Sequence, residues 1–225
     1  MTSAVTNDET ASTADLTPAD TYLDVPVHDR TLVHTGYVWD LVDESFTLPG
    51  HDGPINREFV DHTGAVAVLA IDDDGQVLLI NQYRHPVRMR LWELPAGLLD
   101  VDGEPPHIAA ARELAEEADL IPGRLDLLTE WFSSPGGSTE SMRVYLARDC
   151  TAVPEGERHA RIDEERDIVV RWVPLQEVVD AVLAGRLRNP GLVIGVLAAA
   201  AAKDRNWEPL RPADTPWPGR RSRGQ

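Results

Sequence analysis

At 225 residues with 42% hydrophobic content, the chain suits one domain with extensions, or a small domain beside a larger one, and can bury a real core. A net charge of −17 argues against a broad nucleic-acid surface, so any phosphate it binds must be met by local arginines or by metal ions. Cys150 stands alone, which excludes an intrachain disulfide, and the longest apolar run, Leu192 to Ala202, is too short to span a membrane.

The first twenty residues, rich in Thr, Ala, Asp and Ser, predict disorder. They lack the basic start and apolar centre of a signal peptide, so a cytoplasmic location is expected. Residues 31–48 alternate β-branched and aromatic side chains with polar ones, HDGP at 51–54 punctuates, and INREFVDH resumes. These read as a small antiparallel sheet. AVAVLAI (65–71) predicts a buried strand, DDDG (72–75) a hairpin turn, and QVLLINQYR (76–84) the return strand. LWELPAG leads into a helix, and strands are expected over 125–134 and 141–148. Between them SPGGSTE (134–140) is glycine-rich and reads as a mobile loop. A strand at DIVVRWVPL and two helices, 175–187 and 191–204, complete the pattern; the last twenty residues read as extended.

The helix around RELAEE (Arg112 to Glu117) is the most informative segment. Glu113, Glu116 and Glu117 fall at i, i+3 and i+4 and so share a face, where like charges repel unless a hard divalent cation gathers them. Ile108, Ala111, Leu114, Ala115 and Ala118 predict the buried stripe opposite. For a single Glu the ordinary fate is a solvated face; a set at this spacing favours metal ligation.

Gly97, Glu104, Arg112, Glu113, Leu114, Glu116, Glu117 and Leu120 resemble the Nudix box, GX5EX7REUXEEXGU. Two departures stand out. Six residues rather than five separate Gly97 from Glu104, and the closing glycine is Asp119. A glycine there takes the left-handed conformation without strain; an aspartate adopts it at some cost, with its charge poorly placed at a helix C-terminus. The resemblance implies an α/β fold, a Nudix α/β/α sandwich with a mixed sheet, preceded by the small N-terminal antiparallel sheet. The expected organisation is a disordered tail (1–25), a β-sheet region (26–62), a Nudix hydrolase domain (63–203) and an extended tail (204–225). LWELPAG, SPGGSTES and Pro135, fifteen residues beyond Leu120, look like the ADP-ribose pyrophosphatase subgroup.

That subgroup implies Mg²⁺-dependent hydrolysis of ADP-ribose to AMP and ribose 5-phosphate, with Mn²⁺ as an alternative ion. It also implies a homodimer exchanging the N-terminal sheet; the acidic balance and the short apolar runs leave no nucleic-acid or membrane partner expected. The resemblance assigns Glu113, Glu116, Glu117 and the Ala96 carbonyl to metal, and Glu140 to catalysis as general base. If the base is instead a box glutamate such as Glu117, Glu140 tunes or ligates the metal. Gly97, Glu104 and Arg112 are structural in the box, with Arg112 paired to Glu104. Candidate substrate contacts are Arg57, Arg84, Glu93 and Gly137, each weighed against an ordinary role at a strand end or in a loop. Trp39, Trp92, Trp131 and Phe132 are candidates to stack on adenine, with core packing the commoner role for any one of them. His62 and His85 are not expected to be ligands, and Cys150 reads as a buried thiol. Two other readings stay open: another nucleoside diphosphate sugar or dinucleotide as substrate, and an ADP-ribose sensor without turnover.

Overall fold

The computed structural model describes residues 18–161, 166–221 and 223–224; most of the expected N-terminal disorder lies outside them. In chain order the first strands are β1 (Val27–Thr35), β2 (Trp39–Phe46), β3 (Ile55–His62), β4 (Ala65–Ala70), β5 (Gln76–Arg84), β6 (Met89–Glu93) and β7 (Ala96–Leu98). Helix α1 (Pro106–Ala118) follows, then β8 (Leu120–Ile121), β9 (Arg124–Phe132), β10 (Ser141–Arg148), β11 (Thr151–Ala152) and β12 (Val169–Pro174). Helices α2 (Leu175–Leu183) and α3 (Pro190–Lys203) precede a short β13 (Arg211–Pro212).

β1, β2 and β3 form their own antiparallel sheet. The central sheet has the order β13-β9-β10-β4-β7 and is mixed, with β10 and β4 parallel. A further sheet has the order β12-β5-β6. β4 is buried along its whole length, because both of its faces are covered. Val66, Val68 and Ala70 pack beneath α1 with Leu114, Leu127 and Tyr145. Ala67 and Leu69 turn the other way, toward α2 and α3, with Val144, Leu146, Val178, Leu192 and Val196. Two-residue alternation in one strand thus builds both apolar layers of an α/β/α arrangement. Each fully buried Leu or Val contributes about 1.5–3 kcal/mol. Gly195 lets α3 close on this layer, since a Cβ there would meet Leu94 at 2.9 Å.

The hairpin expected over 65–84 is only half a hairpin. The turn forms, with the Gly75 N–H donating to the Asp72 carbonyl at 3.0 Å. Beyond a single bridge between Ile71 and Val77 the strands part, β4 joining the central sheet and β5 the other. Each strand carries apolar side chains on both faces, so each finds its own neighbours and helices instead of the other's edge.

The C-terminal segment, expected to be extended, is tied to both sheets. β13 pairs with β9, the Thr215 and Pro216 carbonyls accept from Arg143, and Arg223 forks onto Asp40 of β2 at 2.6 and 2.8 Å. The Arg223 guanidinium holds the Asp40 carboxyl below its ordinary range. Among the described residues, no helix is long and apolar enough to cross a membrane.

Candidate active site

α1 begins on Pro106, whose fixed φ and missing N–H suit the first helical position. It ends at Asp119, with φ 55° and ψ 37°, the left-handed cap a glycine would otherwise supply. The misplaced charge is answered by Arg161, which donates to the Asp119 carboxylate at 2.7 Å and to the Glu116 carbonyl at 3.0 Å.

The buried stripe is rotated from the one expected. Ala109, Ala110, Leu114, Glu117 and Ala118 are buried, whereas Ile108 is 49% exposed and Ala111 and Ala115 are half-buried. Small alanines let α1 lie close on β4, and that rotation carries Glu117 inward. Its carboxylate accepts the Ala96 N–H at 2.7 Å and is 4% exposed. One turn earlier Glu113 lies against Gly97, where a Cβ would sit 2.0 Å from its carboxylate. Position 97 therefore admits only glycine unless Glu113 moves.

Arg112 ties the box together. Its Nε and Nη2 donate to Glu104 at 3.1 and 3.0 Å, pinning the loop before the helix. Its Nη1 donates to Glu113 at 2.7 Å and to Glu116 at 3.2 Å. The bond from Arg112 holds the Glu104 carboxyl below its usual range, and Glu104 raises Arg112 in return. Among the described residues no three Asp, Glu, His or Cys side chains converge as a ready-made metal cage. The donor chemistry still fits a hard divalent ion: three glutamates within five residues, beside a position cleared of any side chain. Arg112 supplies the positive charge that two of them meet here.

Next to the box a cleft of about 450 Å³ opens between the central sheet and β5–β6. Ala65, Ala67 and Ala96–Leu98 line one side, Arg84, Leu91 and Glu93 the other, and Trp131, Glu140 and Met142 the end. Candidate residues Arg84, Glu93, Ala96, Gly97 and Glu140 thus share one cavity. Arg84 forks onto the buried Glu93 at 2.7–3.2 Å, so Glu93 receives a side chain rather than a neighbouring backbone. Arg57 is exposed on β3, bonded to the Asn56 carbonyl, and Gly137 bonds within its loop and to β3; neither lines the cleft of its own chain. Trp131 reaches the cleft, Trp92 packs on the core under Arg171, and Trp39 and Phe132 are exposed. Burial pushes the Cys150 thiol up to about 11, away from nucleophilic use.

The loop at 134–140 is fastened, contrary to the swinging segment expected from its glycines. Val60 of β3 donates to the Gly137 carbonyl and accepts from the Thr139 N–H, each at 2.9 Å. The Thr139 hydroxyl accepts the His62 N–H at 2.8 Å and donates to Asp61 at 3.2 Å. A run of β-like bonds to β3 outweighs the freedom that two glycines give the backbone. Burial lowers the His62 pKa, with the nearby Glu140 charge opposing.

The far wall of the cleft is Asn189, Pro190 and Gly191, none of them among the residues expected from sequence. Asn189 caps α3, its side chain accepting the Leu192 N–H at 3.0 Å, and the positive end of the helix dipole lies there. The Asn-Pro pair ahead of an apolar helix was the available signal.

The sequence profile of the NUDIX domain matches residues 61–191. An ADP-ribose pyrophosphatase of Mycobacterium tuberculosis (strain ATCC 25618 / H37Rv) is 45% identical over 82% of this chain and 87% of its own. One from Bacillus subtilis (strain 168) is 35% identical over 67% and 78%. A solved structure described as an ADP compounds hydrolase superposes with a TM-score of 0.66 at 19% identity, covering 83% of this chain and 98% of that one, which supports the fold. With box, cleft and profile in agreement over more than half its length, the chain belongs to the Nudix family.

Proposed function

We propose that this Nudix enzyme hydrolyses the pyrophosphate of ADP-ribose, giving AMP and ribose 5-phosphate. The observation that carries the reading is the seating of Glu113 and Glu117 directly against Gly97 and Ala96, which themselves line the cleft. Acidic side chains and substrate cavity are therefore separated by one strand of backbone. The 45% and 35% identical relatives, both ADP-ribose pyrophosphatases, support the substrate.

Glu113, Glu116 and Glu117, with the Ala96 carbonyl, would hold divalent ions, Mg²⁺ by preference and Mn²⁺ as the alternative. When bound, such ions neutralise the diphosphate and lower the pKa of a coordinated water. The protein's own groups do the rest. Arg84, steadied by Glu93, offers positive charge to the diphosphate, and the capped N-terminus of α3 adds a favourable dipole across the cleft. Trp131 supplies a flat apolar wall for a base or ribose. Glu140, in the cleft and held by its neighbours' bonds to β3, takes the proton from the attacking water. Arg112 would release Glu113 and Glu116 to the ions while keeping Glu104.

The enzyme works in the cytoplasm as a homodimer in this reading. β1 is exposed along nearly its whole length in the single chain, and Leu32, Val33, Tyr37 and Trp39 lie open on the N-terminal sheet. Exchange of that sheet would bring Arg57 to the partner's cleft. Sedimentation should give twice the chain mass; a monomer with full activity ends the exchange idea.

The test of function is hydrolysis of a panel of nucleoside diphosphate compounds with Mg²⁺ in heavy-oxygen water, products read by mass spectrometry. AMP and ribose 5-phosphate from ADP-ribose, lost in Glu113→Gln and Glu117→Gln, are expected. Full activity in those variants refutes the site, and faster turnover of another diphosphate corrects the substrate.

A further inference from the structure

β2 buries every second residue, and two of the three are acidic: Asp40, Val42 and Glu44. Asp61 of β3 lies directly opposite Asp40 and is 1% exposed. Carboxylates facing one another on adjacent strands repel, and buried ones are costly unless paired. In a chain of net charge −17 the partners come from two directions. Arg30 of β1 donates through Nη1 to Glu44 and through Nη2 to Asp61, the latter at 2.6 Å. From the C-terminal segment, Arg223 forks onto Asp40 and also donates to the Gly36 and Tyr37 carbonyls at 3.0 and 3.3 Å. Arg221 stands 3.6 Å from Glu44, and the Gly224 N–H donates to Asp61 at 2.8 Å.

Asp61 divides its two oxygens between these groups and the cleft. Oδ2 accepts from Arg30 and Gly224, and Oδ1 accepts the Thr139 hydroxyl at 3.2 Å. Thr139 is the residue before Glu140. The Glu140 carbonyl accepts the Ser133 N–H at 3.0 Å, and Ser133 and Glu140 both line the cleft. β3 thus joins the C-terminal arginines to the segment that carries Glu140. Three donors meet at Asp61, and a carboxylate is the group of this shape that accepts from all of them. An asparagine has one acceptor oxygen, and its amide nitrogen would face a donor.

We propose that Asp61 is a positioning residue for Glu140, and that Arg223 and Gly224 fix its orientation although neither lines the cleft. The inference rests on the reading of Glu140 as the group that takes the proton from water. No member of the linkage needs to touch substrate. Arg223 anchors Gly224, Gly224 and Arg30 hold Asp61, Asp61 directs Thr139, and Thr139 sets the backbone at Glu140. A general base works only within hydrogen-bond reach of its proton, so slack anywhere along this line slows the chemical step.

The test is a double-mutant cycle in the full chain, with kcat and KM measured for ADP-ribose at saturating Mg²⁺ and a melting temperature for each variant. Arg223 carries the cycle because its side chain is 25% exposed, so its replacement leaves little void in the fold. Arg223→Gln should lower kcat roughly tenfold with KM little changed. Asp61→Asn should lower it at least as far, and Arg223→Lys, which keeps a cation beside Asp40, should recover most of the loss. Because the effect runs through Glu140, adding Arg223→Gln to Glu140→Gln should cause no further fall in kcat. The proposal is overturned if Arg223→Gln and Asp61→Asn keep wild-type kcat while Glu140→Gln is slow. It is equally overturned if the losses from Arg223→Gln and Glu140→Gln multiply in the double variant, as a merely structural contribution would. Wild-type kcat in Glu140→Gln itself would refute the reading of Glu140, and this inference with it.

Discussion

A methyl group at position 97 would land 2.0 Å from the Glu113 carboxylate. Gly97→Ala is therefore expected to displace that side chain by about an ångström, and misplacement on that scale costs on the order of a hundredfold in rate. Steady-state kinetics should show the loss in kcat/KM, with the melting temperature little changed. The Glu104–Arg112 pair gives a second residue-level expectation. Because its folded pKa is depressed, Glu104 contributes stability that is full above its unfolded value of 4.5 and vanishes as pH falls through the lower folded value. Thermal melts at descending pH should show Glu104→Gln destabilised at pH 6, with the gap to wild type closing below about pH 4. Both residues were legible in the sequence because the box fixes their spacing. The partner of Asp119 was not, for Arg161 lies 42 positions away and nothing in the local pattern points to it.

Among the elements, the segment 134–140 repays comparison with its glycines. Composition foretold freedom; bonds to Val60, Asp61 and His62 take it away. Thr139→Val keeps the shape but strips the hydroxyl, leaving the His62 N–H without its partner. A loss of about 1–3 kcal/mol is expected in chemical denaturation. Since Glu140 is the next residue, kcat should fall further than KM rises, and Thr139→Ser should restore both. The same contrast runs through α1. Its 3.6-residue period predicted a helix with acids along one side, and that helix is present. The angle at which it rolls onto β4 depends on which side chains are small, so Ile108 was placed inside and Glu117 outside, the reverse of the outcome. Periodicity tells which residues share a side; packing decides how deeply each is set.

For the molecule as a whole, the C-terminal segment acts as a strap from β9 across β10 to the N-terminal sheet. Read as sequence it has no period, only Pro, Arg and Trp, so its role depends on distant groups and could not be read locally. Arg143 is 1% exposed and receives from this strap two carbonyls and the Trp217 ring. Ending the chain after Leu210 takes two carbonyl acceptors and the Trp217 ring from Arg143, and each lost hydrogen bond to a charged group costs about 1.5–3 kcal/mol. Urea titration of the shortened chain should show that loss as a lower midpoint at unchanged slope; an unaltered midpoint would refute the strap.

The parting of β4 from β5 has a mechanical corollary. The two strands touch at Ile71 and Val77 and diverge from there, so the sheets they belong to are splayed like the covers of a half-open book with its spine at 71–77. Ala65 and Ala67 near one strand's start and Arg84 at the other's end lie toward the fore-edge, where the cavity is. A small rotation about the spine moves Arg84 toward or away from the acidic helix by the greatest amount available to any residue of β5. A nucleotide lying in the cavity would meet both covers at once, so a shift of one against the other would change its grip without breaking a rung inside either sheet.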